Sequence, residues 1–464
     1  MVHSRIISAN FKHKFILGLG FFAIFFTFQG ISVLAVPYYQ MTLGIDPFLL
    51  GLAIKLPLLI FTFMSPFVGQ VSDRCKSQFG RRRPFILFFP WLSCLAFGAI
   101  WMVPAVWTPQ AQLIYFSLFV SAFYFFSIWW TVPMKCLAYE ATTDYDERTN
   151  VMGFVSYFFK FGSLIYHWLF PISQLAIFGT VAVGIMFVGW GIGIFGIALL
   201  AIIPAIFLKE NKRVNTPNKP DEIGLFKSIQ QILKHKNMRI LMGIMCAQIF
   251  FGVLSASMDS YVLVYHMFEG DIKLGTTWKG VLSTSYAIFG IIAIALWTYL
   301  SSKIGKVATF KIVCWLTCFG GLAKWFIYNP GNEYWLILDA VLCTSMWVSI
   351  GVLIASMLAD MIDKDELEHA ERREGLFVSL KAWAVKCAGS IAVILAGLLL
   401  NLIGFDALLA GDQSTQTIIL MKSILCIGTI LGAAISLLLI NQYDLTKEEL
   451  IQIQSLLKQG KAES

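Results

Sequence analysis

G-Q-V-S-D-R-C-K-S-Q-F-G-R-R-R-P, Gly69 to Pro84, carries five Lys or Arg residues and one Asp between two long apolar runs. So charged a stretch has no place in hydrocarbon and reads as a loop at a membrane face. Its excess of Lys and Arg assigns that face to the cytoplasm, because short cytoplasmic loops retain positive charge. That assignment orients every other segment.

Of the 464 residues, 58% are hydrophobic and 13% charged, more apolar surface than a soluble chain of this length could cover. Runs of about 20 apolar residues recur, each long enough to span a bilayer as a helix. The reading is an all-α membrane protein with twelve spans: 15–38, 47–72, 84–106, 112–138, 151–174, 181–208, 239–264, 278–301, 307–328, 333–360, 376–402 and 416–440. The first run is too long for a cleaved signal peptide and lacks a small-residue cleavage site. The net charge of +8 collects in loops on one side, so nucleic acid is not expected as a partner. The nine cysteines are scattered, and Cys314 and Cys318 at i, i+4 do not have zinc spacing. Inert thiols, no metal and no cofactor are the expectation.

With the N-terminus inside, the inner segments hold Arg5, Lys12, Lys14, the 74–83 run, Arg148, a basic linker, Lys303, Lys306, Lys364, Arg372 and Arg373; the outer loops hold only Lys273 and Lys279. A cell (inner) membrane protein with both termini cytoplasmic follows. The expected organisation is a six-helix bundle at 1–208, a cytoplasmic linker at 209–238 with a short amphipathic helix, a second bundle at 239–440 and an amphipathic tail at 441–464. The halves echo each other. Leu137-Ala138-Tyr139-Glu140 followed by Asp144, Asp146, Glu147 and Arg148 matches Leu358-Ala359-Asp360 followed by Asp363, Asp365, Glu366, Arg372 and Arg373. Phe154-Val155-Ser156 with Lys160 matches Phe377-Val378-Ser379 with Lys386. Parallel six-span repeats are the build of the major-facilitator fold, whose substrate site lies between pseudo-symmetric halves near the midplane.

Charges inside spans default to functional hypotheses. Lys311, Lys324 and Lys422 lie near span ends, so snorkelling accounts for them, and Asp339 is likewise near the outer end. Lys55 and Lys135 divide between snorkelling and lining a cavity. Lys160 and Lys386, two to three turns inside equivalent spans, are the leading substrate residues, with Lys381 near Lys386. Tyr124, Trp129, Trp130, Tyr157, Trp347 and Trp383 lie at depths suited to a ligand platform, though such rings also serve as core or interface belt. Asp259 is the deepest acid and the candidate for coupling. Embedded lysines outnumber embedded acids, and a buried ammonium without a partner goes neutral or binds an anion. An anionic or highly hydroxylated substrate is favoured.

The opening stretch also reads as one side of a cytoplasmic gate. Gly69 would let the second and third spans approach, while Asp73, Arg74, Arg81, Arg82 and Arg83 would pair with acids after the fourth and tenth spans, Glu140, Asp144, Asp360 and Asp363, near Arg148. The alternative is that the arginines only set topology and bind anionic lipid heads.

Ser72 to Pro84, with Ala359-Asp360-Met361-Ile362-Asp363, Glu374-Gly375 and Lys386, resembles the glycoside–pentoside–hexuronide:cation symporters, melibiose-permease-like and sucrose-carrier-like, over essentially the whole chain. The resemblance implies the major-facilitator fold, alternating access and a sugar or sugar derivative as substrate. The departures matter as much. Where sodium-coupled members carry acids, this chain has Phe61, Ser65 before Pro66, and Thr131 before Val132-Pro133; Lys135 takes the place of a stacking aromatic, Ser156 that of an arginine, and Lys381 that of a neutral residue. A hard cation needs oxygen ligands, usually with carboxylate charge. Expected is therefore a secondary active transporter of a sugar or sugar derivative, proton-coupled rather than sodium-coupled. Its expected partners are the small-molecule substrate, sugar or anionic metabolite, protons and membrane lipids. The alternatives are a carrier of an organic anion or sugar acid, and a lipid-type carrier or non-transporting sensor. An enzyme is not expected: no nucleophile motif or paired in-membrane carboxylates are present, and His167 is the one histidine well inside a span.

Overall fold

A proline decides how the second span ends. Pro66 has no amide to offer the Thr62 carbonyl one turn back, and the helix breaks into Pro47–Phe63 and Ser65–Arg74, bent by 47°. The Ser65 hydroxyl donates to that carbonyl at 2.7 Å, serving the acceptor that the proline leaves open.

The computed structural model describes residues 11–104, 106–139, 145–208, 233–369, 374–445 and 449. Among these, ten helices are long and apolar enough to cross a membrane, eleven when the bent pair counts as one. They include Phe11–Thr42, Arg83–Ile100, Lys236–Met267, Ile272–Ile304 and Glu333–Glu368, most of them longer than the hydropathy runs suggested. The expected fifth span, 151–174, differs: Tyr145–Ile165 is α-helical, Tyr166–Trp168 tightens to 3₁₀, and Leu169–Ser173 finishes it. A polar first turn and Lys160 in its length keep it below the apolarity of the rest. The protein is an all-α integral membrane protein.

A second repeat emerges in the backbone. The first and seventh spans both pass into π-helix at corresponding ends, Val36–Thr42 and Val262–Met267. Each is followed by a glycine in the left-handed region, Gly44 at φ +71° and Gly270 at φ +87°. Next comes an aspartate that caps the following helix: Asp46 accepts from the Leu49 amide at 2.8 Å and Asp271 from the Leu274 amide at 2.9 Å. One extra residue between Gly44 and Asp46 hides this match in the sequence.

The chain divides into two compact units: Met1–Thr216 with Asp271–Thr284 and Leu400–Ala410, and Pro217–Gly270 with Ser285–Leu399 and Gly411–Ser464. The first has an aromatic core in which Tyr39, Phe97, Trp101, Phe116, Phe123 and Trp130 are all buried. Its third and sixth spans interlock through reciprocal pairs, Gly98 against Trp190 and Gly189 against Trp101; a Cβ at 98 would meet Trp190 at 2.5 Å. The second unit has a core of its own, around Met238, Leu241, Phe310, Met346, Met357 and Phe377. Polar side chains tie its seventh and twelfth spans: Ser255 donates to the Leu425 carbonyl at 2.7 Å, and Gln248 to Ser436 Oγ at 2.9 Å.

Candidate functional site

In the first unit the fourth span buries Thr131 and brings Lys135, half-buried, over the Phe28 ring at 5.3 Å from Nζ to centroid. That contact suits a cation held among apolar side chains. Lys55 donates to Ser32 Oγ at 3.1 Å, tying the second span to the first. Tyr157 and Lys160, on the fifth span, are exposed. The side chain of Ser156 lies outside the described residues. No Asp or Glu occurs in 47–72, 84–139 or 148–208, so the lysines of these spans have no carboxylate in any of them.

In the second unit Lys381 and Lys386 are half-buried and Trp383 is exposed. Asp259 is buried and accepts from Ser260 Oγ at 3.2 Å. The snorkelling expectation fails for two lysines. Lys324 is 5% exposed and sits 3.1 Å from Asp339 Oδ1 and 3.2 Å from Oδ2. Lys422 is also buried, donating to Asn329 Oδ1 at 2.6 Å with the Trp325 ring 5.0 Å from Nζ. Both turn inward because polar partners from neighbouring helices wait there, which is preferable to stretching an apolar stem toward water. Asp339 is itself 1% exposed and accepts from the Tyr328 and Tyr286 hydroxyls at 2.9 and 3.2 Å. Sequence reasoning missed this cluster. The one signal was the opposite charges of Lys324 and Asp339 on consecutive helices joined by a short turn.

Of the residues expected at the gate, the described ones make these contacts. Arg82, buried, pairs with Asp73 of its own loop at 2.8 Å. Arg83 donates through Nε to the Ala205 carbonyl and through Nη2 to that of Ile206 at 3.3 Å, capping the sixth span's last turn. Arg81 is half-buried and Arg74 exposed. Gly69 does not mark a close approach: a Cβ there would meet nothing within 4 Å. The position therefore needs no glycine for packing. Glu140 and Asp144, and the side chain of Arg148, lie outside the described residues. In the second unit Asp360 pairs with Lys306 at 2.5 Å, and Asp363 is half-buried. Beside them His235, where the linker ends, contacts Asp365 at 3.5 Å and Glu368 at 3.7 Å.

One further polar cavity, about 210 Å³, is lined by Gln40, Asp46, Asn401 and Asp406 among others. Its carboxylates have structural work: Asp46 caps the second span and accepts from Asn401 at 2.6 Å, and Asp406 accepts from the Leu408 amide at 2.9 Å.

Residues 16–447 match the model of the MFS/sugar transport protein family. Over 444 residues the chain is 22% identical to an uncharacterized symporter, YnaJ, of Bacillus subtilis strain 168, covering 93% of this chain and 91% of that one. Over 409 residues it is 22% identical to the isoprimeverose transporter of Lactiplantibacillus pentosus, covering 88% and 83%. Among solved structures, a bacterial homolog of the human lysosomal transporter Spinster superposes with a TM-score of 0.67 at 13% identity, over 96% of this chain and 97% of that one. A D-xylose–proton symporter gives 0.60 at 13% identity, over 92% and 98%. At these identities the structural likeness speaks for the fold alone, which is the major-facilitator fold. The resemblance to glycoside–pentoside–hexuronide:cation symporters is borne out, and the chain belongs to the MFS/sugar transport protein family, as a membrane transporter and not an enzyme.

Proposed function

We propose that this protein is a secondary active carrier of a sugar or sugar derivative, working by alternating access and driven by protons rather than sodium. The observation that carries the coupling is the distribution of carboxylates. Residues 47–72, 84–139 and 148–208 contain none, with Ser65 at the proline bend and Thr131 in the fourth span. Embedded acids occur instead in the second unit, where Asp339 is engaged by an ammonium and two hydroxyls. Oxygens so occupied do not offer the several free ligands that a hard cation needs. Sugar as cargo draws support from the relatives, an isoprimeverose transporter and a raffinose carrier protein among them.

Two six-helix bundles, 1–208 and 239–440, joined by the linker 209–238 and followed by the tail 441–464, would provide the alternation, in an inner membrane with both termini cytoplasmic. Substrate contact falls to Thr131, Lys135, Tyr157 and Lys160 on one side and Lys381, Trp383 and Lys386 on the other. A second reading, a sugar-acid or organic-anion carrier, is favoured by one specific observation: Lys55, Lys135 and Lys160 lie in stretches, 47–72, 84–139 and 148–208, that hold no acid. Purified protein in liposomes, offered isoprimeverose, raffinose, D-xylose and D-galacturonate with and without sodium, tests both. Uptake of a neutral sugar in sodium-free buffer supports the first reading, uptake of galacturonate alone supports the second, and an absolute sodium requirement contradicts the coupling.

A further inference from the structure

Two lysines of the first unit point into the membrane rather than out of it. Lys135 lies near the end of its helix, Pro109–Tyr139, where a lysine that only set topology would stretch its stem to the surface. It runs the other way. A Cβ on Gly20 would meet the Met134 sulfur at 2.8 Å, so that end of the helix stands beside Gly20 of the first span. The Lys135 ammonium nevertheless lies 5.3 Å from the centroid of Phe28, close to the middle of Phe11–Thr42. Phe28 belongs eight residues beyond Gly20, or about 12 Å of helix. Side chains tilt toward the N-terminus of their own helix, and for Lys135 that direction is inward. Lys55 comes from the other end, eight residues after the second span begins at Pro47. It donates to Ser32 Oγ at 3.1 Å, ten residues before the first span ends at Thr42, so its ammonium is not drawn out to the surface.

The two contacts fall on one face. Phe28 and Ser32 are four apart in the helix Phe11–Ala35, one turn on one side of it. Lys55 and Lys135, both half-buried, therefore converge on neighbouring turns of the first span, one from the second span and one from the fourth. Ser32 is the polar partner of Lys55 among the described residues. An ammonium has three N–H donors, so two remain for a further acceptor. No Asp or Glu occurs in 11–45, 47–72 or 84–139, the stretches that form these three spans. Ammoniums so placed repel each other and each gives up hydration; an anion held by both offsets the two costs.

We propose that Lys55 and Lys135, with the Ser32 hydroxyl, form an oxyanion subsite that makes this carrier prefer sugar derivatives bearing a phosphate ester or a carboxylate over neutral sugars. The inference rests on the sugar-carrier reading above and deepens it, adding Lys55 and Ser32 to the residues that meet the cargo. The anionic group accepts N–H donors from both lysines, while the first span supplies a hydroxyl and an aromatic wall. A phosphate ester carries about −1.5 to −2 charges at neutral pH, a closer match to two ammoniums than one carboxylate.

The test uses the full-length protein purified in detergent, titrated at constant ionic strength with inorganic phosphate and with D-galacturonate, and with D-galactose as the neutral probe. Both anions should bind about tenfold or more tighter than D-galactose, and phosphate the tighter of the two. Lys55→Met should weaken both anions about tenfold and leave D-galactose unchanged, whereas Lys55→Arg, which keeps the charge, should retain most of the affinity. Should Lys55→Met fail to fold, Lys135→Met removes the other ammonium and should show the same loss. Wild-type protein that binds neither anion overturns the proposal, and so does a lysine-to-Met variant that binds them as wild type does. The phosphate and galacturonate arms tell a phosphate ester from a sugar acid as the better cargo. Lysine-dependent anion binding by a protein that moves no sugar in liposomes would end the carrier reading and leave the subsite; sugar uptake by a protein without the anion preference would do the reverse.

Discussion

Lys160 and Lys386 lie on equivalent spans of the two halves, each shortly before a Gly-Ser pair, Gly162-Ser163 and Gly389-Ser390. A substrate contact of ordinary strength is worth about 1.4 kcal/mol or more, a tenfold change in affinity. Lys160→Ala and Lys386→Ala should therefore each lower uptake about tenfold in the liposome assay, with the protein still inserted at normal yield. Unchanged uptake in both variants would remove these lysines from the site. At the surface, Asp444 is held below the usual carboxylate range by the hydrogen bond from Lys236 at 2.8 Å. Its folded value is depressed, so its contribution is present above about pH 4 and is lost as pH falls through the lower folded value. Both partners are more than half exposed, which limits the contribution to about 1 kcal/mol or less. Asp444→Asn should accordingly lower the thermal midpoint slightly at neutral pH, and the difference from wild type should vanish in strong acid.

At the scale of elements, the span pattern was open to reading because a 20-residue apolar run has few alternatives to a membrane helix. The tertiary partners of charged side chains were not. Lys324 and Asp339 are fifteen positions apart on different helices, and nothing in either helix alone says that one will turn toward the other. The same holds for Arg82, which pairs with Asp73 of its own loop. By hydropathy the second span, 47–72, reads as unbroken despite Pro66, because a proline-bent helix and a continuous one have the same hydropathy. Ser65 now has a definite task there. Ser65→Ala should cost about 1 kcal/mol through the loss of one hydrogen bond, read as a lower unfolding midpoint in detergent, whereas Ser65→Thr should retain it. Where the third and sixth spans interlock, Gly98→Val should push Trp190 off its seat and cost about 1–3 kcal/mol by overpacking, with Gly69→Val, which meets open space, as the neutral control.

At the scale of the whole molecule, the two units divide the chemistry. The first presents lysines in stretches, 47–72, 84–139 and 148–208, without carboxylates; the second holds the buried acids and their partners. The shared π-helix, glycine and capping aspartate after the first and seventh spans show one repeat used twice, with its side chains since specialised for different tasks. The proposed proton-driven sugar transport draws on that division. The most direct measurement imposes an inward proton gradient on sodium-free liposomes holding the purified protein and follows labelled isoprimeverose and D-xylose. The account predicts accumulation above the external concentration that collapses on addition of a protonophore. Accumulation that requires sodium, or uptake indifferent to the protonophore, would contradict it.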